Sequence, residues 1–591
     1  MIPIIGLIIT LIILIIGLFV KIINGACESD KIFEGGIHKD KYQTQAARAY
    51  KHLINRKSNP TFNDFCYPKS YNIQPQQTFA GDYMRPGSGH TSLLVFHTIG
   101  SGKTCTSIQI GKKWLRQKAK PVYIMPASLI PGFRNELRSP CGGYISADES
   151  AELRTCEPGS PEYAKIIAKS NARIDADFSI WSYNKFAKAV STFGAKSIKG
   201  SIIIIDEVQN INNQKGKYFN AILQWIEAHP DAPSVIMSGT PIFDTPAELY
   251  MLAKLLRIDV NINGKGTNLK EIANTDVAMS VENIHRLFAG KVTYFAGAPE
   301  FTFPTVYVKK KKCLMSKHQA RWYKSEVEAE MTKAGGITLK EIANDFYIKS
   351  RQRSNIVYPN GLTGVAGMHA LTTPIIRNSL ETYSIKYHLI CKKILRGGLS
   401  FIYTGFTGAG GIAALTKCMR ALGFSDYTTD GPGKRRYVIW SGEQTLKEKD
   451  VIREVFNSSA NDDGSQIQVV IGSPSVKEGV SFFRIRYVHV VEAYWNHSRL
   501  EQIFGRAIRY CSHKSLPRQE RDVTIYIYCA VAQTKLPKEV SPLESIDLYM
   551  LAIADKKRDE AEPTVKALMD VAVDRYIHYP KKDGTEENIH E

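Results

Sequence analysis

Short apolar runs recur along the chain, each bounded by polar or glycine residues and followed by a longer amphipathic segment. The first group comprises SLLVFH (92–97), PVYIMP (121–126), SIIIID (201–206) and SVIMSG (234–239). The second comprises LSFIYTGF (399–406), RYVIWSG (436–442), IQVVIGS (467–473), RYVHVVEAYW (486–495) and VTIYIYCAV (523–531). Runs that are apolar throughout are typical of strands buried on both faces of a parallel sheet. The pattern predicts an α/β protein with two doubly wound parallel-sheet domains that face each other across a cleft.

A more helical and basic stretch separates the two groups. It begins with VKKKKC (308–313) and continues through SKHQARWYKSEVEAEM (316–331). The lysines 309–312 could bind phosphates or act as a localisation signal, although a solvated charged face explains them equally well. We expect a first ATP-binding domain at 40–300, a helical basic linker at 301–380, a second domain at 381–535 and a C-terminal helical extension at 536–591.

The N-terminus has a different pattern. Its first twenty residues, MIPIIGLIITLIILIIGLFV, carry no charge, and a helix of that length can cross a hydrocarbon core of about 30 Å. A signal peptide would begin with basic residues, which are absent here, and a buried core element would need a partner surface on every side. We therefore expect residues 1–24 to form a transmembrane-like helix, with the basic body on the cytosolic side.

Composition adds a partner class and a compartment. The 591 residues suffice for two or three domains, and 77 Lys+Arg against 57 Asp+Glu give a formal charge of +20. Such a balance favours a polyanionic partner, nucleic acid above all, although it does not exclude an anionic membrane surface. The ten cysteines show no CxxC pair and no zinc spacing, which predicts reduced thiols in a cytosol-like compartment.

A phosphate-binding loop is the first candidate chemical motif. In HTIGSGKT (97–104) the run LLVF delivers the chain to a turn in which Gly100, Ser101 and Gly102 can bring backbone amides to a pyrophosphate. A helix that begins at Lys103 would add its N-terminal dipole. Lys103 would reach the β- and γ-phosphates of ATP, and the Thr104 hydroxyl would ligate Mg²⁺.

An acidic motif supplies the second half of such a site. In SIIIIDEVQN, Asp206 at the end of a four-isoleucine strand can complete the Mg²⁺ shell, and Glu207 can act as the general base for the attacking water. An isolated Asp-Glu pair is commonly only a helix cap. The next run, SVIMSGTP, places Ser238 and Thr240 on a loop where their hydroxyls can bond the acidic motif.

The second group of runs contains an arginine motif. SRLEQIFGRAIRYCSH spaces Gln502, Arg506 and Arg509 by four and three residues, so that in a helix they share one face. Two arginines aimed across the cleft could neutralise charge on the γ-phosphate, whereas the alternative is an exposed basic helix. Upstream, GSPSVKEGVSF (472–482) offers Lys477, Glu478 and Gly479 for ribose or phosphate contacts.

The order of these motifs resembles the superfamily II helicases and translocases over roughly residues 70–530. HTIGSGKT corresponds to their first motif, DEVQ to the second, SGTP to the third and QIFGRAIR to the sixth. The resemblance implies two RecA-like domains with an ATP cleft, and it implies that position 97, often not glycine there, is free to vary. YNIQPQQTF (71–79) looks like the upstream glutamine motif, which would place Gln77 near the adenine.

A closer resemblance connects AYWNHSRLEQIFGRAIRYCSHKSLP (493–517) to the nucleoside triphosphatase I and early transcription factor small-subunit ATPases of poxviruses and other large DNA viruses. It implies a nucleic-acid-dependent ATPase of viral transcription, with ATP and Mg²⁺ as cofactors and viral RNA polymerase as a partner, in the virion or the host cytoplasm. Two alternatives stay open: a promoter-binding factor that uses ATP only to release polymerase, and a membrane-tethered RNA helicase. Gln209 departs from the usual DExH histidine, which leaves the metal ligand and the base unchanged.

Overall fold

The computed structural model describes residues 39–54, 60–98, 100–156, 160–211, 216–262, 265–266, 278–334, 347–474 and 480–578. These residues form two compact units. The first unit draws its members from Met1–Pro60, Ser70–Gly297 and Ala561–Glu591, and the second from Thr61–Lys69 and Ala298–Glu560. The predicted transmembrane-like segment, residues 1–24, lies outside the described residues. Among the described helices, none is both long enough and apolar enough to cross a membrane.

A six-stranded sheet, parallel at every pairing, forms the centre of the first unit, in the order β3-β2-β4-β5-β1-β8. Its strands are β1 (Ser92–His97), β2 (Val122–Met125), β3 (Ser179–Ser182), β4 (Ile203–Asp206), β5 (Ser234–Ser238) and β8 (Val292–Phe295). A two-stranded antiparallel pair, β6 (Asn261–Ile262) and β7 (Lys265–Gly266), lies apart from it. The four apolar runs predicted as strands are strands, and the two edge strands β3 and β8 were not predicted.

Helices cover both faces of this sheet. They are α1 (Lys39–Ala49), α2 (Lys51–Ile54), α4 (Pro75–Tyr83), α5 (Lys103–Lys113), α6 (Ile130–Arg138), α7 (Ala147–Thr155), α8 (Pro161–Asp177), α9 (Tyr183–Phe193), α10 (Lys217–Ala228), α11 (Glu248–Leu255) and α12 (Val281–Phe288). Side chains alternate along the strands, so Leu94 and Phe96 join one core cluster while Leu93 and Val95 join the other. Burial on both faces explains why the strands read as unbroken apolar runs.

The second unit contains a seven-stranded sheet, also parallel at every pairing, in the order β11-β12-β13-β10-β14-β15-β9. Its strands are β9 (Thr305–Leu314), β10 (Ser400–Tyr403), β11 (Ser425–Asp426), β12 (Arg436–Trp440), β13 (Val469–Gly472), β14 (Tyr487–Val490) and β15 (Asp522–Val531). The four-lysine run, expected in a helical stretch, lies in the terminal strand β9, where only Cys313 is buried. Lysines on an edge strand discourage pairing with another chain.

The remaining helices complete the fold. Those numbered within the second unit are α3 (Phe62–Cys66), α13 (Lys317–Ala334), α14 (Ile348–Asn355), α15 (Gly364–Ala370), α16 (Thr373–Tyr383), α17 (Ile385–Ile394), α18 (Ile412–Ala421), α19 (Tyr427–Asp430), α20 (Leu446–Asn457) and α21 (His497–Phe504). The helix α22 (Pro542–Asp570) belongs to the second unit up to Glu560 and to the first beyond it. With α23 (Arg575–His578), the C-terminal residues then fill the first unit's core, for example through Leu568 and Ile577.

Two disulfides correct the expectation that every cysteine is a reduced thiol. Cys66 is bonded to Cys511 within the second unit, and Cys105 is bonded to Cys141 within the first. The Cα–Cα distances, 5.4 and 5.9 Å, lie in the usual range for a bridge. The partners are 445 and 36 residues apart in sequence, so no local spacing could indicate them. The free cysteines of the described residues are Cys156, Cys313, Cys391, Cys418 and Cys529.

Candidate nucleotide site

The phosphate loop lies between the end of β1 and the first residue of α5. Gly100 and Gly102 have φ of +83° and +84°, the left-handed region that favours glycine. A Cβ on Gly102 would also lie 2.8 Å from the Gln77 Nε2 atom, so a side chain there meets strain and a clash. The Ser101 hydroxyl donates to the Thr98 carbonyl at 2.7 Å, which tightens the turn. The strand, turn and helix that the sequence predicted are therefore present, with Lys103 and Thr104 in the first turn of α5.

The upstream glutamine segment packs on this loop. Gln77, in α4, accepts a hydrogen bond from the Gln74 backbone N–H at 2.9 Å and donates to the Gly102 carbonyl at 3.5 Å. Gln76 donates to the Ser101 carbonyl at 3.4 Å. The structure thus brings Gln77 and the phosphate loop together, 25 residues apart in sequence. The side-chain amides of Gln76 and Gln77 therefore support the loop just before the N-terminus of α5, where phosphate would bind.

The acidic motif follows β4 with an unusual backbone. Glu207 has a φ of +54°, in the left-handed region that a glutamate rarely adopts. Its N–H donates to Asp206 Oδ1 at 2.9 Å, and its carboxylate accepts from Gln209 Nε2. Strained backbone that the surrounding structure maintains is concentrated at functional sites. The outlier therefore marks the acidic motif as a place where side-chain direction is held at an energetic cost.

A relay of hydrogen bonds joins the acidic motif to the loop after β5. The Ser238 hydroxyl donates to Gln209 Oε1 at 2.7 Å and accepts from the Thr240 N–H at 3.0 Å. Because Asp206 is opposite Met237 and Phe96 is opposite Ser238, the ends of β4, β5 and β1 lie level with one another. The phosphate loop, the acidic pair and the Ser238 loop therefore share one edge of the sheet, where open α/β sheets bind ligands.

His97, the position that the family resemblance leaves free to vary, is fully buried in this chain. Its Nε2 lies 3.3 Å from the Thr293 hydroxyl, which donates to Asp574; Asp574 in turn is 3.1 Å from His578 Nε2. Desolvation by burial lowers the pKa of His97 from 6.5 to about 3. A neutral histidine therefore connects the start of the phosphate loop to the C-terminal segment, a long-range contact that no sequence motif predicts.

Cys105 and Cys141 fix the phosphate-loop helix at a second point. Cys105 lies two residues after Lys103 in α5, and Cys141 follows α6. Gln109 Nε2 adds a hydrogen bond to the Cys141 carbonyl at 3.0 Å. The Glu136 carboxyl lies close to both sulfurs, and burial raises its pKa. The disulfide thus holds α5 against the segment that follows α6.

The arginine motif of the second unit departs from its predicted helix. The helix α21 ends at Phe504, with Gly505 as its C-cap residue, so Arg506 lies in the following turn and Arg509 in the loop after it. Gln502, Arg506 and Arg509 therefore do not share one helical face. Arg506 is buried and donates from Nε to the Gln502 carbonyl and from Nη1 to the Val480 carbonyl, both at 3.0 Å. Lys477, Glu478 and Gly479 lie outside the described residues.

Comparison with known proteins gives this geometry a class. The model of the SNF2-related domain matches residues 42–359. A protein named as an ATP-dependent RNA helicase of Acanthamoeba polyphaga mimivirus is 38% identical over 80% of this chain and 84% of its own length. A protein named as a termination factor NPH-I homolog of African swine fever virus (isolate Warthog/Namibia/Wart80/1980) is 23% identical over 85% of this chain and 78% of its own.

Among solved structures, the Sulfolobus solfataricus SWI2/SNF2 ATPase core in complex with dsDNA is similar at 16% identity and a TM-score of 0.29, over 85% of this chain and 95% of that one. The family model and the relatives make the protein a helicase-type, nucleic-acid-dependent ATP hydrolase. It belongs to the SNF2-related family, and ATP is its substrate.

Proposed function

We propose that the protein is a motor that couples ATP hydrolysis to movement on DNA or RNA during transcription of a large DNA virus. One observation carries this proposal: the phosphate loop, the acidic pair and the Ser238 loop share one sheet edge, and hydrogen bonds through Gln209 join the acidic pair to the Ser238 loop. Such a connection lets one set of contacts register both nucleotide and a neighbouring loop. The similarity to a viral termination factor homolog supports the transcriptional setting.

The first unit would supply most of the nucleotide chemistry. Gly100, Ser101 and Gly102 would present backbone amides to the phosphates, and Lys103 would balance the charge of the β- and γ-phosphates. Gln77, held on the loop by its bond to the Gly102 carbonyl, would lie beside the adenine.

Metal and water would be held by oxygen donors of the same sheet edge. The Thr104 hydroxyl and the Asp206 carboxylate are ligand types that suit Mg²⁺, which would neutralise phosphate charge when bound. Glu207 would take the proton of the attacking water, and its bond from Gln209 would orient the carboxylate. The strained backbone at Glu207 agrees with a side chain kept in one direction.

The second unit would supply cationic stabilisation of the transferred phosphoryl group. Arg506, held by the Gln502 and Val480 carbonyls, is preorganised, so it would lose little side-chain entropy on meeting a phosphate. Arg509 would add a second cation. Removing such an arginine typically lowers the hydrolysis rate by about 10³-fold or more.

Nucleic acid would be the polyanion that the formal charge of +20 favours, contacted mainly through its phosphates. We place the protein in the virion or the host cytoplasm, with viral RNA polymerase as a partner. Anchoring through residues 1–24 stays a prediction, which detergent partitioning of the full chain against a chain beginning near Asp30 would test.

The decisive experiment compares ATP hydrolysis with single-stranded DNA, duplex DNA, RNA and no nucleic acid. Lys103→Ala and Glu207→Gln should abolish stimulated turnover, and Glu207→Gln should retain binding of a fluorescent ATP analogue. Lys113→Ala is the matched control, because Lys113 lies in the same helix and pairs with Asp82 on the surface. Full turnover in the Glu207→Gln protein would remove the assignment of the base, and no stimulation by any nucleic acid would remove the motor proposal.

A further inference from the structure

Arg351 is a buried arginine in a cage of aromatic rings. It lies in α14 of the second unit and is 5% exposed. Its guanidinium carbon lies 5.1 Å from the ring centroid of Phe406, 5.7 Å from that of Trp495 and 5.9 Å from that of Tyr494. The three rings hold the Arg351 guanidinium in place, and solvent has little access to it.

Within the described parts of the chain, this guanidinium has neither a hydrogen-bond acceptor nor an ion-pair partner; its buried Nε is unsatisfied, as is that of Arg353, but its two Nη groups lack acceptors as well. Arg353, two residues later in the same helix, shows the usual arrangement. It is 7% exposed, donates to the Gly361 and Leu362 carbonyls and pairs with Glu326 at 3.7 Å, while its guanidinium lies over Trp322. The difference between the two arginines is the presence of acceptors, since both lie against aromatic rings.

A buried charge without acceptors is unfavourable, and proteins normally pair it. Aromatic rings attract a guanidinium, but they offer no lone pairs to its five N–H donors. A hydrogen-bond acceptor for the Arg351 guanidinium would therefore have to come from a bound ligand. A planar, always-charged donor fork of this kind matches the oxygens of a phosphate.

The cage lies where a parallel sheet binds ligands. Phe406 follows β10, Tyr494 and Trp495 follow β14, and these two strands are neighbours. Gly405 borders the cation: a Cβ there would be in van der Waals contact with Arg351 Nη2 at 3.6 Å and with Glu492 Oε2 at 3.9 Å. Glu492 does not pair with Arg351, because its carboxylate accepts instead from the Thr404 hydroxyl at 2.7 Å and the Gly405 N–H at 2.8 Å.

We propose that Arg351 binds a backbone phosphate of the nucleic-acid strand on which the protein acts. The inference rests on the proposed nucleic-acid-dependent function, and the formal charge of +20 favours that strand over an acidic protein. The phosphates of ATP are the other source of the same chemistry. The experiment below separates the two sources.

The test compares Arg351→Met, Arg351→Lys and the control Arg353→Met in the full chain. Binding of fluorescein-labelled single-stranded and duplex DNA is measured by fluorescence anisotropy between about 50 and 250 mM salt. This range is wide enough to define the slope of log K against log salt. Loss of one phosphate contact should reduce the slope of log K against log salt by about 0.7 to 0.9 and weaken binding by roughly tenfold at low salt. Arg351→Lys should keep the slope with weaker binding, and Arg353→Met should keep both.

Melting temperatures provide a second readout. Arg351→Met should not lower the Tm of the protein without nucleic acid, because no described acceptor is lost and methionine also packs well against aromatic rings. Arg353→Met should lower it, because two carbonyls and a carboxylate lose their donor. A Tm loss in Arg351→Met as large as that in Arg353→Met would reveal an internal partner and overturn the proposal.

The remaining outcomes are distinct. An unchanged salt slope in Arg351→Met, with normal wild-type binding and stimulation, would overturn the inference while leaving the proposed function intact. An unchanged slope together with weaker binding of a fluorescent ATP analogue would assign the phosphate to the nucleotide. A wild-type protein that neither binds nor responds to nucleic acid would overturn both.

Discussion

Acidification should destabilise the first unit through His97. The buried imidazole has a pKa of about 3 in the native state, against about 6.5 for an exposed histidine. Between pH 6.5 and pH 3, His97 is therefore protonated in the unfolded state but neutral in the native state. The free energy of unfolding falls as the pH drops below 6.5, and this loss ends near pH 3. Between pH 7.5 and 5.0 the linkage relation gives a loss of about 2 kcal/mol from this one residue.

The groups that face His97 do not cancel this effect. Asp574 has a lowered pKa, since His578 and Thr293 hydrogen-bond to its carboxylate, and it therefore titrates below the chosen window. His578 and Lys103 act in the same direction as burial, because each lowers the pKa of His97. Replacing His97 with Gln keeps an amide near the Nε2 position but removes the proton-binding site.

The assay is pulse proteolysis in urea at pH 7.5 and 5.0, scored on peptides from the first unit. Wild type should lose about 2 kcal/mol more than His97→Gln over this interval. His52→Gln, a change at an exposed histidine of the same unit, should behave as wild type. Equal losses in wild type and His97→Gln would refute the assignment of a neutral, buried imidazole.

Three further predictions concern other contacts. Cys141→Ser opens the 36-residue loop closed by Cys105, and the chain-entropy model gives a loss of about 4 kcal/mol; an unchanged urea midpoint of the first unit would contradict it. Lys386→Met leaves the fully buried Asp547 without its cation and should cost about 3 to 5 kcal/mol in urea unfolding, whereas less than 1 kcal/mol would show that the pair is dispensable. Ser238→Ala removes two hydrogen bonds, each worth about 1 kcal/mol, and should reduce stimulated ATP turnover more than basal turnover; equal reductions would show that the relay does not couple the loops.

Local patterns predicted the parts of the fold and candidate site that depend on neighbouring residues. The apolar runs became strands, and the loop that begins at His97 led into a helix at Lys103, because strand burial, glycine turns and helix starts are encoded within a few residues. The edge strands β3 (SIWS) and β8 (VTYF) were missed because polar residues interrupt them, so neither forms a long apolar run. The four lysines of β9 concealed a strand whose pairing with β15 spans more than 200 residues.

Features formed by distant residues could not be read from the sequence. The buried network of His97 needs Asp574, nearly the whole chain away, and the bridge from Cys66 needs Cys511. The arginine motif misled in another way: its four-and-three spacing suits a helix, but α21 ends at Phe504, before Arg506. Arg351 carries no motif at all, since its distinction is the lack of an acceptor in three dimensions.

The division of the chain between its two units has a practical consequence. The polypeptide crosses from one unit to the other after Pro60, after Lys69, after Gly297 and again after Glu560. A nick after Gly297 would therefore yield two fragments, each of which contains a segment of both units. The N-terminal fragment carries Cys66, which is bonded to Cys511 of the other fragment. The C-terminal fragment carries core residues of the first unit. The disulfide would keep such fragments covalently joined until it is reduced. Produced from separate genes, they would form a split protein in which neither fragment can complete its fold without the other.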